Sequence, residues 1–379
     1  MKKKVLLVFG TRPEAIKMAP VIKAFQKESL IQCKICVTGQ HREMLDQVLE
    51  FFEIKPEYDL NIMKHGQDLY DITTSILLHI KEVLNDFKPD IVLVHGDTTT
   101  ALSTALATFY ENIKLGHIEA GLRTGNIYSP FPEEMNRLLC SSISNYHFAP
   151  TDKSRNNLLR ENKDDRNIMV TGNTVIDALF LTLDKIKSDK NLELKIKKQI
   201  PTINNNKKII LVTGHRRENH GQNFINICEA LKILANKNQN IDIIYPLHLN
   251  PKVQKPAREL LSCVSNIHLI QPLRYEQFVY LMHKSYFIIT DSGGIQEEAP
   301  SLFKPVLLTR NTTERSEAIE AGAVKLVGTN TENIIKQAQK LIDDRSEYEK
   351  MIILNNPYGD GYASNRIVEF IKRIEINGK

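Results

Sequence analysis

The stretch ITDSGGIQEEAP (289–300) decides how this chain is read. An apolar run, Tyr286-Phe287-Ile288-Ile289, stops at Thr290-Asp291-Ser292. Two glycines follow, then a polar segment with adjacent acids, Glu297 and Glu298. A strand, a Ser292-Gly293-Gly294 turn and a helix make phosphate-binding geometry, because glycines let backbone approach closely and a helix N-terminus offers unpaired N–H groups. The same residues also suit a tight βα turn of any α/β fold. Glu298 bears on that choice. A carboxylate about one turn into the helix repels phosphate but accepts hydrogen bonds from a ribose diol. The alternative is that both acids form a solvated first turn favoured by the helix dipole. One nucleotide diphosphate accounts for both features.

The same strand-then-helix unit recurs along the chain. Val5–Phe9, Cys33–Val37, Ile91–Val94, Lys114–Ile118, His147–Ala149 and Asn167–Val170 read as strands of a first half. Ile209–Val212, Ile241–Tyr245, Ile267–Ile270, Phe287–Thr290, Val306–Thr309 and Val324–Val327 read as strands of a second. Repeated βα units imply parallel sheets covered by helices. The expectation is an α/β protein of two Rossmann-like domains facing across a cleft. The expected boundaries are 1–172 for the first domain, 173–355 for the second, and a C-terminal helix in 356–379 packing back on the first, with Ser364 as its N-cap. Ligands of such sheets bind at strand carboxyl ends, so the cleft is the expected active site.

With 379 residues, 42% hydrophobic and 25% charged, the chain has the composition of a globular enzyme. A net charge of +5, dispersed along the chain, is too mild for nucleic acid and suits a small anion. No apolar run is long enough to span a membrane. Val5–Phe9 is too short for the core of a signal peptide, so the start reads as a strand and a cytoplasmic location is expected. Five cysteines make no disulfide framework. Cys33 and Cys36 spell CxxC inside an apolar strand, where a redox pair would need a helix N-terminus, so they read as structural.

Other strand ends carry candidate chemistry. FGTRPEAIKMAP (9–20) is no dinucleotide fingerprint, but it sets Arg12 and Lys17 near a strand end, with Arg12 suited to a diphosphate. HGDTTTALSTALA (95–107) places Asp97 there, either as a helix cap or in a chemical role. GHIEAGLRTG (116–125) adds Glu119, and NIYSPFPEEMNRLL (126–139) adds Glu133 and Glu134, which also suit an ordinary helix start. Convergent carboxylates are what proton transfer at carbon needs. VTGHRRENHG (212–221) brings His215 and Arg216, YPLHLNP (245–251) brings His248, and TRNTTERSEAIEAG (309–322) brings Arg310, Arg315 and Glu317. The histidines lack metal-ligand spacing, so no metal site is expected.

As an ordered set, FGTRPEAIKMAP, TGQHREML, HGDTTTALSTALA, HIEAGLRTG, YSPFPEEMNR, VTGNTVIDAL, VTGHRREN, PLHLNP, DSGGIQEEAP, RNTTERSEAIEAG and PYGDGYAS resemble the non-hydrolysing UDP-N-acetylglucosamine 2-epimerases over nearly the whole chain. The resemblance implies a glycosyltransferase B-like fold and reversible inversion at C2 of the sugar, giving UDP-N-acetylmannosamine. It implies elimination of UDP through 2-acetamidoglucal, a role in making surface-polysaccharide precursors, and no cofactor. By family analogy Asp97, Glu119 and Glu133 handle the C2 proton, and the catalytic set also includes His215, beside the departing UDP, and Lys17, near the sugar and phosphates. Arg12, His248, Ser292, Gly293, Gly294 and Arg315 hold the nucleotide and sugar, and Glu298 the ribose. Gln40, His41, Gln67, Glu134 and Arg216 match positions that bind a second UDP-N-acetylglucosamine as activator, and the family is generally homodimeric. Phe131 stands where many members carry tryptophan, another aromatic. The residues also leave open an epimerase of a modified UDP-diacetamido sugar, a hydrolysing relative that releases N-acetylmannosamine, a glycosyltransferase of the same architecture and a non-catalytic sensor.

Overall fold

The computed structural model describes residues 2–39, 42–64, 66–201, 204 and 206–375. They form two compact units, one of Met1–Ala178 with Tyr358–Lys379, the other of Leu179–Pro357.

The first unit holds a seven-stranded sheet in the order β3-β2-β1-β4-β5-β6-β7. The strands are β1 (Lys3–Phe9), β2 (Ile31–Val37), β3 (Tyr58–Asp59), β4 (Ile91–His95), β5 (Lys114–Ile118), β6 (Tyr146–Ala149) and β7 (Ile168–Val170). Every pairing described is parallel. Central strands of such a sheet are covered on both faces, and Val5 to Phe9 are accordingly all buried. Strand β3 was not among the strands expected from sequence. Two residues, one of them polar, give no periodic signal, and only pairing with Cys36 and Val37 reveals it. Cys33 and Cys36 lie on β2 as free thiols, and burial pushes both pKa values up to about 12, so neither is activated.

The helix Ala363–Arg373 belongs to this first unit. Phe370 meets Tyr146 and Phe148 edge-on at 5.5 and 5.4 Å. Lys3 Nζ donates to the carbonyls of Ile371 and Ile374, both at 2.6 Å. The helix starts at Ala363, so Ser364 sits inside its first turn and is not the cap expected from sequence. Asp177 serves instead, accepting from Ala363 N at 3.2 Å and Ser364 N at 2.7 Å.

The second unit holds a six-stranded parallel sheet ordered β10-β9-β8-β11-β12-β13. Its strands are β8 (Lys208–Thr213), β9 (Ile241–Pro246), β10 (Ile267–Ile270), β11 (Phe287–Thr290), β12 (Val306–Leu308) and β13 (Val324–Leu326). Both sheets reverse their winding once, at β1/β4 and at β8/β11. A crevice opens at such a switch point, outside the strand carboxyl ends. Among the described residues no helix is long and apolar enough to cross a membrane.

Candidate active site

In the first unit, β1 runs out at Gly10. A Cβ there would lie 2.0 Å from Thr38 Oγ1 and 2.5 Å from Thr100 Oγ1, so the loop after β2 and the helix Thr99–Tyr110 after β4 can close on it only because it is glycine. Thr11 caps the helix Arg12–Gln26, which sets Arg12 and Lys17 at the β1 end of the sheet. Glu14 is the buried pin of this corner. Its oxygens accept from Gly10 N at 3.0 Å, Thr11 N at 2.8 Å and Thr98 Oγ1 at 2.7 Å. Burial raises its pKa, with these hydrogen bonds opposing.

Glu119 follows β5 directly and has a positive φ of 63°, an uncommon choice for a side chain of this size. Its Oε2 forms an ion pair with Lys17 Nζ and accepts from Asn173 Nδ2 at 2.9 Å. His95 Nε2 stands 3.9 Å from the same oxygen. Burial lowers the pKa of His95 to about 3, so this ring is neutral at physiological pH.

Asp97 ends the β4 turn but does not cap the next helix. Thr98 does, accepting from Ala101 N at 3.1 Å. Asp97 Oδ2 instead takes two hydrogen bonds from Arg137, Nε at 3.0 Å and Nη2 at 2.6 Å. Arg137 also donates to Glu134 Oε2 at 2.9 Å, while Glu134 Oε1 accepts from Thr124 N at 2.8 Å and Gly125 N at 3.1 Å. Glu134 is only 1% exposed. It therefore stitches the loop after β5 to its own helix, Glu133–Ile143. Glu133 opens that helix, and its Oε2 is buried without a hydrogen-bond partner. The first unit thus gathers Asp97, Glu119 and Lys17 at the carboxyl ends of neighbouring strands, with Glu133 at the start of the helix whose Arg137 holds Asp97.

The second unit is organised by Asp291, 1% exposed, just past β11. Its carboxylate accepts from His215 N at 3.0 Å, Arg216 N at 2.9 Å and Asn219 Nδ2 at 3.1 Å. His215 Nδ1 lies 3.3 Å from Asp291 Oδ1. The His215 ring stacks on His248, centroids 5.7 Å apart, and His248 Nδ1 accepts from Asn250 N at 3.2 Å. Burial lowers the His215 pKa, with the Asp291 charge opposing and Arg216 and His248 adding to the fall.

The Ser292-Gly293-Gly294 turn opens a helix of six residues, Gly293–Glu298. A Cβ on Gly293 would meet Arg315 Nη1 at 2.6 Å, so this glycine makes room for a guanidinium. Arg315 donates to the buried Glu297 at 2.7 Å and pairs with Glu314. Arg310 binds Glu314 at 3.0 Å and Glu218 at 2.6 Å, and Arg216 Nη2 lies 3.9 Å from Glu314. Burial would raise the Glu314 pKa, but Arg315 and Arg310 more than offset it and hold it at about 2. Glu298 is buried and accepts from Tyr275 at 3.1 Å, so neither acid of the pair forms a solvated turn. Gln67 Oε1 accepts from Lys64 N at 2.7 Å, while Gln40 and His41 lie outside the described residues.

Glu14, His95, Arg137, Asn173, Asp291 and Glu314 carry much of this geometry and escaped the sequence reading. The one local signal was that Asp291, like Asp97, directly follows an apolar strand. Among the described residues no cluster of His, Cys, Asp and Glu is arranged to hold a metal ion.

Two Rossmann-like units with charged side chains massed at their switch points define an α/β enzyme of the glycosyltransferase B-like class. A family model described as UDP-N-acetylglucosamine 2-epimerase matches residues 23–372. A UDP-N-acetylglucosamine 2-epimerase of Campylobacter jejuni is 62% identical over 382 residues, covering 100% of this chain and 99% of that one. The crystal structure of UDP-GlcNAc 2-epimerase from Neisseria meningitidis bound to UDP-GlcNAc superposes with a TM-score of 0.91 at 57% identity, over 98% of this chain and 100% of that one. The Methanocaldococcus jannaschii enzyme in complex with UDP-GlcNAc and UDP gives 0.81 at 34% identity, over 97% and 99%. The chain belongs to the UDP-N-acetylglucosamine 2-epimerase family.

Proposed function

We propose that this protein interconverts UDP-N-acetylglucosamine and UDP-N-acetylmannosamine by eliminating UDP and adding it back. In the forward half-reaction a carboxylate takes the C2 proton, the C1–O bond breaks, and its electron pair leaves with UDP, giving 2-acetamidoglucal. In the return half, UDP oxygen rejoins C1 and a proton reaches C2 on the opposite face. The C2 proton is weakly acidic, so elimination succeeds only where the leaving anion is stabilised.

The observation that carries the reading is Glu119, a carboxylate in a left-handed backbone conformation tied to Lys17 and Asn173. Strain of this kind collects at functional sites. Glu119, Asp97 and Glu133 are assigned to the C2 proton, with Lys17 beside them. Arg12, His215, His248, Ser292, Gly293, Gly294 and Arg315 are assigned to the diphosphate, and Glu298 to the ribose diol. Relatives bound to UDP-GlcNAc and UDP support the ligand class. Supply of a surface-polysaccharide precursor in the cytoplasm is the assigned role.

A homodimer is part of the proposal. The helices Leu69–Phe87 and Thr99–Tyr110 pack together and leave Tyr70, Leu78, Phe109 and Tyr110 exposed, apolar surface that suits a second copy. A second UDP-N-acetylglucosamine acting as activator is assigned to Gln40, His41, Gln67, Glu134 and Arg216. Glu134 would contribute there through the Thr124–Gly125 loop it holds.

Incubation with UDP-N-acetylglucosamine in D2O, followed by NMR, tests the function. Deuterium at C2 in an intact UDP-N-acetylmannosamine is the expected result. Free N-acetylmannosamine would mean hydrolysis, and turnover only with an added acceptor would mean a transferase. Asp97→Asn should abolish turnover while UDP still binds by calorimetry.

A further inference from the structure

Oxygen Oε2 of Glu119 is approached from three elements of the first unit. Lys17 comes from the helix Arg12–Gln26, Asn173 from the segment after β7, and His95 from the end of β4. Lys17 and Asn173 are in contact with it. His95 Nε2 is 3.9 Å away, too far for a hydrogen bond, and a shift of about 1 Å would close it. That nitrogen is buried and has no hydrogen-bond partner, although the residue is only 3% exposed. An unsatisfied buried polar atom is costly, and one in a native core calls for a physical reason.

The proposed chemistry supplies one. An ammonium paired with a carboxylate favours its charged form, which suits a resting enzyme and not a base for a weakly acidic C–H. An anionic nucleotide sugar competes for Lys17. Once Lys17 turns to the substrate, Oε2 keeps Asn173 and gains room for a second donor that brings no positive charge. We infer that His95 is a positioning residue for Glu119, and that its neutral Nε2–H takes the place of Lys17 on Oε2 when substrate binds. The inference rests on the function proposed above.

Burial favours a neutral ring, with Lys17 and His117 adding to it and the Glu119 charge and a backbone hydrogen bond of His95 opposing. The charged and titratable groups facing His95 are Glu119, Lys17 and His117. His117, on β5, is itself buried with its pKa lowered to about 4, and Arg123 and Arg137 oppose a charge on it. His117 Nε2 donates to Gly96 O at 2.7 Å, which pins the turn after His95. Gly96 has a φ of 66°, a left-handed conformation that suits glycine, so the turn after His95 passes beside Glu119 Oε1 without strain. From 3.9 Å, a ring motion of about 1 Å brings His95 Nε2 to hydrogen-bond distance of Glu119.

The test compares His95→Leu with His95→Gln, whose amide reaches where Nε2 lies and donates without charge. His95→Leu should lower kcat about 10- to 100-fold with KM little changed, as expected for a misplaced reacting group. A donor to a carboxylate favours its charged form, so its loss should move the acid limb of the kcat–pH profile upward by about 0.5–1 unit. His95→Gln should keep kcat within a few-fold and leave the limb in place. Should the leucine variant fail to bind UDP, His95→Asn, whose amide stops short of Oε2, should show the same loss. Wild-type turnover with an unmoved profile in His95→Leu, or equal damage in His95→Gln and His95→Leu, would overturn the role of His95 alone. No C2 deuterium from wild-type enzyme would overturn the function and this role with it.

Discussion

The Arg315 guanidinium occupies the space beside Gly293 that any other residue's Cβ would enter, with Nη1 at 2.6 Å and Cζ at 2.7 Å from that point. Arg315 cannot simply swing away, because buried Glu297 holds its Nε at 2.7 Å and Glu314 pairs with Nη1. Gly293→Ala should therefore destabilise the second unit by about 1–3 kcal/mol through overpacking. It should also weaken UDP binding at least several-fold. Urea unfolding and titration calorimetry read the two effects, and an unaltered protein would show that Arg315 has another resting place.

Asp291 organises the loop that carries His215. In Asp291→Asn an amide group would face N–H donors where a carboxylate oxygen now accepts them. Asp291 also opposes the burial that lowers the His215 pKa, so its neutralisation should lower that pKa further. The His215 ring proton should titrate at lower pH by NMR, and kcat should fall about 10- to 100-fold. A His215 titration unchanged in the variant would mean that Asp291 serves only the backbone.

Glu134 tests the stitch between the loop after β5 and the helix Glu133–Ile143. Glu134→Ala leaves the amides of Thr124 and Gly125 without their acceptor and removes one partner of Arg137. The expected loss is about 3–5 kcal/mol, the range for breaking a buried pair. Chemical denaturation measures it. A loss below about 1 kcal/mol would show the loop holds without the carboxylate.

Acid stability should report the buried histidines. His95, His117 and His147 are buried neutral, with pKa values lowered by burial to about 3, 4 and 3. The unfolded chain protonates them near pH 6.5, whereas the folded protein does not until far lower pH. Their contribution to stability is therefore intact above about pH 6.5 and falls as pH drops towards 4, by about 1 kcal/mol per pH unit for each ring. Glu14 and Asp177, whose pKa values burial raises, act in the opposite sense. Unfolding free energies at pH 7 and pH 5 should show net proton uptake on unfolding. His147→Gln should flatten the dependence by about one proton.

Much of the architecture was legible because its signal is local. A strand buried on both faces must be apolar throughout, so Val5–Phe9 and Phe287–Thr290 announce themselves in any order of reading. A turn at a strand end must be small or polar, which marks the neighbourhoods of Asp97, Glu119, His215 and Ser292. The capping of the last helix was read wrongly for the converse reason. Ser364 is the local candidate, but Asp177 reaches the helix end from 187 residues away in sequence.

By itself the sequence determined two sets of βα units, the strand ends where polar chemistry gathers, and membership of a family whose motifs occur in order. Only the tertiary structure decided what each of those residues contacts. Gly293 is spaced for a guanidinium, Glu134 is spent on backbone amides, Asp97 leans on Arg137, and Glu119 shares one oxygen between Lys17 and Asn173 with His95 waiting beside it. Periodicity and turn chemistry act over a few residues and leave their trace in the order of letters. Burial, charge pairing and pKa depend on which distant segments the sheet brings within a few ångströms, and no short window of sequence contains that.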